Sequence, residues 1–225
     1  GWDFPSRVAL GYGLGLFALT IGIASAALAG ARIGRELVLG VTGVLLAASL
    51  WASRSFWRKL RGEAAHKKAG PAWRRADPCL AAIVLLGCVA AVISTGKGYH
   101  TTDAVQIWGV KGSGIAWSGG LSRVTEWGTN TLPYPLHIPL VIAAFQVLFQ
   151  ETLPASKLLF PGYFLSLLLL VYGFLLRQRV SRLLAGLAVL LLASAPVLFR
   201  HATIGYANLP LAFYPLVPYI AKGAA

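Results

Sequence analysis

Five strongly apolar stretches of this chain, residues 8–30, 37–53, 80–94, 158–176 and 183–198, contain no acidic or basic side chain. That feature constrains the fold more than any other. A helix satisfies all its backbone polar groups within itself, so uncharged apolar runs of this length read as helices dissolved in lipid. A soluble domain carries about a quarter charged residues; this chain has 12% charged against 57% hydrophobic, with a mean hydropathy of +0.69. The expected fold class is therefore all-α, a polytopic integral membrane protein. A sixth apolar run, 210–221, is weaker. The runs of 15 to 17 residues are short for a hydrocarbon core of roughly 30 Å at about 1.5 Å per residue. Flanking Trp, Ser and Gly extend them into the interface.

The net charge of +13 does not imply nucleic acid, because the cations sit between apolar runs, where membrane topology places them. Residues 54–77 hold eight cations (Arg54, Arg58, Lys59, Arg61, Lys67, Lys68, Arg74, Arg75) against Glu63 and Asp77. Excess Lys and Arg marks cytoplasmic loops, so this loop is expected inside, as is the turn with Arg177, Arg179 and Arg182. An even number of crossings must then separate the two. The run 136–149 starts with Pro135 and His137, includes Gln146, and is only 14 residues long. It is expected to lie along or dip into the outer interface without crossing. The long loop 95–157 and the stretch 200–209 are then external, and the amino terminus is cytoplasmic. Three regions follow: residues 1–53 as a pair of membrane helices, 54–77 as a basic cytoplasmic loop, and 78–225 as the larger membrane region.

Several features take the plainer reading. Cys79 and Cys88 lie nine residues apart on one helix, pointing about 180° away from each other, so they do not pair. Gly11, Gly13 and Gly15 sit in an apolar helix with no strand before them, which argues helix packing over nucleotide binding. Gly96, Lys97 and Gly98 lack the spacing of a phosphate loop. The chain contains no methionine and is read as a fragment or a processed chain, and its first apolar run is too long for a signal peptide.

The spans carry no Asp, Glu, Lys, Arg or His in their interiors, which disfavours a transporter. The chemistry-bearing side chains collect in the external segments: Lys97, His100, Asp103, Lys111, Arg123 and Glu126, with Trp108, Trp117, Trp127 and Tyr134. Aromatic content argues that this loop is ordered, with short amphipathic helices at headgroup level, one starting near 105–110. A carboxylate there can act as base on an acceptor hydroxyl while cations hold a lipid phosphate, each worth a few kcal/mol at an effective dielectric of about 20.

Three elements carry a family resemblance. The run Thr102, Asp103, Ala104, Val105, Gln106, Ile107, Trp108, Gly109, Val110, Lys111 resembles the Asp-Ala-x-x-x-Trp-x-x-Lys stretch in the first external loop of bacterial GT-C superfamily membrane proteins. The run Tyr134, Pro135, Leu136, His137, Ile138, Pro139, Leu140 is similar to that group's Tyr-Pro-Leu-x-x-Pro-Leu element. Ser194, Ala195 and Pro196, followed by Gly205, Tyr206, Ala207, Asn208, Leu209, Pro210 and Leu211, resemble its Gly-Tyr-x-Asp-x-Pro-Leu element. The three stand in the family's order over residues 98–214, and residues 1–77 match nothing in it. Asn208 stands where the pattern has Asp, and Pro133 stands where an acid precedes the Tyr-Pro element.

The resemblance implies a GT-C-like glycosyltransferase that uses a polyprenyl-phosphate-linked sugar, related to protein O-mannosyltransferases and aminoarabinose transferases. It implies Asp103 as the catalytic acid of the first external loop. The partners expected are the lipid bilayer, the polyprenyl-phosphate-linked sugar and an acceptor glycan, lipid or protein, with no nucleic acid. Lys97, Lys111, Arg123 and Arg200 are candidates for the lipid phosphate. His201, Tyr134, His137, Asn208, Trp108 and Glu126 are further substrate-site candidates. His100 and Asp103, three residues apart, can share a helix face and a divalent metal ion. The plainer readings are a helix cap for Asp103, headgroup contacts for the cations, and interfacial anchoring for Trp108, Trp117 and Trp127. A non-catalytic membrane subunit, or a lipid or solute transport component, is the alternative of another class.

Overall fold

The computed structural model describes residues 3–64, 77–97, 99, 101, 104–121, 135–150 and 155–222. Among these residues all the regular secondary structure is helical, with no strand. The helices are α1 (Phe4–Leu28), α2 (Arg35–Ala64), α3 (Pro78–Gly96), α4 (Val110–Ser118), α5 (His137–Phe149), α6 (Leu159–Arg177), α7 (Arg182–Ala193), α8 (Pro196–Ile204) and α9 (Asn208–Lys222). A π-helical turn, Ala104–Gly109, leads into α4, and a 3-10 turn, Ala155–Leu158, leads into α6.

Four of these are long and apolar enough to cross a bilayer: Phe4–Leu28, Arg35–Arg54, Pro78–Gly96 and Ala155–Arg177. Their starts are written in the sequence. Asp3 accepts the Ser6 amide at 2.8 Å, ahead of Pro5 in the first turn of α1. Asp77 accepts the amides of Cys79 and Leu80 at 3.1 and 3.3 Å, with Pro78 in the first turn of α3. Each pair satisfies helix-end N–H groups that otherwise lack partners. Cys79 and Cys88 are both free, as their spacing on α3 requires.

Two expectations need correcting. Residues 183–198 do not form one helix: α7 ends at Ala193, α8 begins at Pro196, and the pair is bent by 65°. Pro196 has no N–H and crowds the residue before it out of the α region; Ala195 sits at ψ 117°. The Ser194 hydroxyl donates to the Leu191 carbonyl at 2.7 Å. The basic stretch is also not a loop from its start, since α2 runs on through Ala64.

α6 is the centre of the bundle. Tyr163, Phe164, Leu168 and Leu170 are fully buried, as befits a helix apolar on every face. It packs against α1, α3, α7, α8 and α9. A second, smaller core joins the C-terminal half of α1 and the start of α2 to α4 and α5, through Ile23, Ile33, Val38, Ile115, Leu140 and Ala143.

The hydrogen bonds sort the connections to two ends. At one end Arg177 meets Asp3 at 3.4 Å and Ser6 at 3.0 Å, and the Tyr172 hydroxyl donates to Asp77 at 2.6 Å. The start of α3 and the end of α6 therefore lie together, as an even number of traverses demands. At the other end the Ile33 amide donates to the Gly119 carbonyl at 2.7 Å, tying the α1–α2 turn to the end of α4. There too the Ser94 hydroxyl donates to the Lys157 carbonyl at 3.4 Å.

Candidate functional site

Two cavities flank the turn between α8 and α9. That turn depends on Gly205, whose φ of +84° is left-handed and whose added Cβ would stand 2.9 Å from the Tyr99 ring.

The first cavity, about 750 Å³, lies between α3 and the α7–α8 bend. Its walls are apolar, with Leu86, Ile93, Leu190, Ala193 and Phe199; Lys97, Thr101 and Arg200 supply polar groups. Lys97 and Arg200 are exposed. The helices beside it present Leu85, Val92, Leu187 and Leu191 outward, so the cavity adjoins an apolar surface.

A buried support stands behind Lys97. The Lys157 ammonium, fully buried, donates to the Lys97 carbonyl and lies 5.5 Å from the centre of the Tyr99 ring. Such a cation over an aromatic face is attracted by the ring quadrupole. The Tyr99 hydroxyl pairs with the Ser156 hydroxyl at 3.2 Å. Burial pushes the Tyr99 phenol up to about 12, so it stays neutral.

The second cavity, about 320 Å³, lies between α1 and α9. Phe17, Trp108, Pro135, Ile138 and Leu211 make it apolar; His137, Asn208 and Tyr214 are its polar residues. His137 Nδ1 lies 2.8 Å from the Thr20 hydroxyl, and Nε2 lies 2.7 and 3.0 Å from the hydroxyls of Tyr163 and Tyr214. The two tyrosine oxygens are 2.6 Å apart, and Tyr214 donates to the Gly13 carbonyl at 3.0 Å. Burial pushes the His137 imidazole down to about 4, so it is neutral at physiological pH.

Two stretches of chain connect the cavities. Thr101 lines the first and Trp108 the second. Arg200 lines the first and Asn208 the second, and between them Asn208 Nδ2 donates to His201 Nδ1 at 3.4 Å, while His201 stacks on Tyr206 at 5.4 Å.

The structure thus gathers Lys97, Trp108, His137, Arg200, His201 and Asn208 of the sequence candidates around these two cavities. Lys111 is fully buried and lines neither; burial lowers its pKa. Trp108 is also buried, whereas Trp117 is 88% exposed, the exposure an interfacial anchor requires. His100, Asp103, Arg123, Glu126, Trp127 and Tyr134 lie outside the described residues. Among the described residues, no three His, Cys, Asp or Glu side chains converge as metal ligands.

Sequence reading missed Lys157, Tyr99, Thr20, Tyr163 and Tyr214. A hydroxyl inside an apolar run must find a partner, so the two tyrosines carried a signal. Their common partner His137 is distant in sequence and was not predictable from it. Comparison with protein-family models, curated proteins and solved structures finds no match to this chain.

Proposed function

We propose that this protein is a membrane glycosyltransferase that moves a sugar from a polyprenyl-phosphate carrier to an acceptor hydroxyl on the external face. The observation that carries the reading is the first cavity: an apolar slot about 750 Å³ in volume, beside an apolar surface, with Lys97 and Arg200 among its lining. An isoprenoid tail suits its walls, and the two cations suit the phosphate. The resemblance of residues 102–111, 134–140 and 205–211 to GT-C elements supports the same reading. The excess of cations in 54–77 and 177–182 favours a cytoplasmic position for that end of the bundle, which leaves both cavities external.

In the proposed reaction the Asp103 carboxylate takes the proton of the acceptor hydroxyl. The acceptor oxygen bonds to the anomeric carbon as the bond from that carbon to the phosphate oxygen breaks. The electron pair leaves with polyprenyl phosphate, whose new negative charge Lys97 and Arg200 stabilise. This leaving group is already a good anion, so no strong general acid is needed. Arg123 is a further phosphate candidate.

The test is release of polyprenyl phosphate by the membrane-embedded protein, offered a panel of polyprenyl-phosphate sugars. Arg200→Gln and Lys97→Gln should each raise KM about 10- to 100-fold, since a charge-assisted contact is worth ~1.5–3 kcal/mol. Asp103→Asn should lower kcat about 10²- to 10⁴-fold. Full release by Asp103→Asn would remove the base assignment. No release by the wild type, together with no binding of polyprenyl phosphate, would favour a non-catalytic subunit.

A further inference from the structure

α2 outruns its span. The apolar part ends at Arg54, yet the helix continues through Ala64, a further length of about 15 Å at roughly 1.5 Å per residue. The bundle does not hold this end. The packed part of α2 is its start, where Val38 is buried with Leu37 and Val41 around it. Among the described residues, none of 42–54 belongs to either core. Val44, Leu46, Leu50 and Trp51 are all exposed.

Helical register sorts the charges of this end by face. At about 100° per residue, Trp51, Arg54, Trp57, Arg58 and Arg61 fall within one arc of about 120°. Lys59 falls outside it. Glu63, the one acid in 51–64, stands four residues on from Lys59 and shares that other face. The arc therefore holds three arginine positions and no carboxylate, with a tryptophan position on each edge. It begins in the last turn of the span and leaves the apolar region at headgroup level, where tryptophan concentrates. Toward the start of the helix the same arc runs through Leu50 and Leu39, both exposed.

We propose that this arc of α2 is a binding site for an anionic phospholipid of the leaflet that the basic end faces. The headgroup phosphate lies at Arg54, Arg58 and Arg61, and an acyl chain follows the helix along Leu50 and Leu39. The planar guanidinium fork suits a phosphate. Charge decides between occupants. A second copy of this face would set three cations against three, a repulsion. A soluble acidic partner would match the arginines and leave the apolar half of the arc uncovered. An anionic lipid matches both halves. Basic clusters next to a span attract such lipids by about fivefold per cation. The inference is independent of the transferase reading, and α2 lines neither cavity.

Native mass spectrometry of the full chain, released from detergent with phosphatidylglycerol or phosphatidylcholine of the same acyl chains, tests it. Phosphatidylglycerol should bind tighter, on the order of a hundredfold for three cations. Arg54→Gln, Arg58→Gln and Arg61→Gln should each weaken it about fivefold, and the triple variant should bring it to the level of phosphatidylcholine. Lys59→Gln, on the other face, should change it less than about twofold. Arg54→Lys, Arg58→Lys and Arg61→Lys combined should keep the preference, which separates lost charge from lost fold. Equal binding of the two lipids by the wild type, or a triple Gln variant that still prefers phosphatidylglycerol, would overturn the site. A loss in Lys59→Gln as large as in each arginine variant would overturn the arc in favour of scattered charge. An oligoglutamate peptide that binds where phosphatidylglycerol does not would make this end a dock for an acidic protein.

Discussion

At the scale of single residues, the His137 network is the most informative feature, because its protons can be counted. Tyr214 spends its one proton on the Gly13 carbonyl. Tyr163 must then supply the hydrogen between the two phenols, 2.6 Å apart. Neither phenol has a proton left for the imidazole, so His137 carries hydrogen on Nε2, and the Thr20 hydroxyl, which donates to the Phe17 carbonyl at 2.9 Å, shares that one proton with Nδ1. The groups facing the ring among the described residues are Thr20, Phe17, Tyr163 and Tyr214, with no carboxylate to stabilise a cation. Burial accordingly lowers its pKa from 6.5 to about 4. The folded value lies below the unfolded one, so the contribution to stability is complete above about pH 6.5 and is lost as pH falls toward about 4. At ~1.4 kcal/mol per decade it amounts to about 3 kcal/mol at most. Thermal melting in detergent should therefore be flat above about pH 7 and decline steeply between about pH 6.5 and 4, and His137→Gln should flatten that decline. An acid limb unchanged in His137→Gln would place the titration elsewhere. His137, Trp108, Arg200 and Asn208 were legible as candidates because polar or aromatic groups stand out in apolar text. Lys111 and Lys157 were not distinguishable as buried cations, because burial is decided by what packs over them and both look like surface lysines in sequence.

At the scale of elements, charge-free length identified α1, α2, α3 and α6, and local chemistry marked their starts. What the text did not reveal was where the short helices pack. α5 has the length of an interfacial segment, yet its contacts are with the C-terminal half of α1, the start of α2, and α4. Its fit to α4 depends on one glycine: a Cβ on Gly112 would stand 2.5 Å from Ile142 Cγ2 and 3.1 Å from the Pro139 carbonyl. Nearby, the Gln146 amide donates to the Ser113 hydroxyl at 3.0 Å. A backbone oxygen cannot move aside as a side chain can, so Gly112→Val should force α4 off α5 at a cost of about 1–3 kcal/mol. The readout is a lower melting temperature. A variant with unchanged melting would show that α4 does not pack as described. The bend at Pro196 is the converse case. Its proline was visible, but an apolar run that continues across it reads as one span until the 65° break is seen.

At the scale of the whole molecule, charge and packing make separate statements that one experiment can separate. Packing brings the start of α3 and the end of α6 to one end through the Tyr172–Asp77 hydrogen bond, whichever side of the membrane that end faces. Charge alone assigns that end to the cytoplasm, through the cations of 54–77 and 177–182. Single cysteines introduced as His66→Cys, Asp103→Cys, Glu151→Cys and Val180→Cys, in a background lacking Cys79 and Cys88, can be probed in intact cells with an impermeant thiol reagent. Labelling at 103 and 151, with protection at 66 and 180, is the expected pattern. Labelling at 66 and 180 with protection at 103 and 151 would keep the bundle and reverse its orientation, moving both cavities to the cytoplasmic side and removing the external glycosyl transfer. Different behaviour at 66 and 180 would be a deeper failure, because no orientation of this bundle allows it: the segment between α3 and α6 would then cross an odd number of times, and α5 would have to be a span.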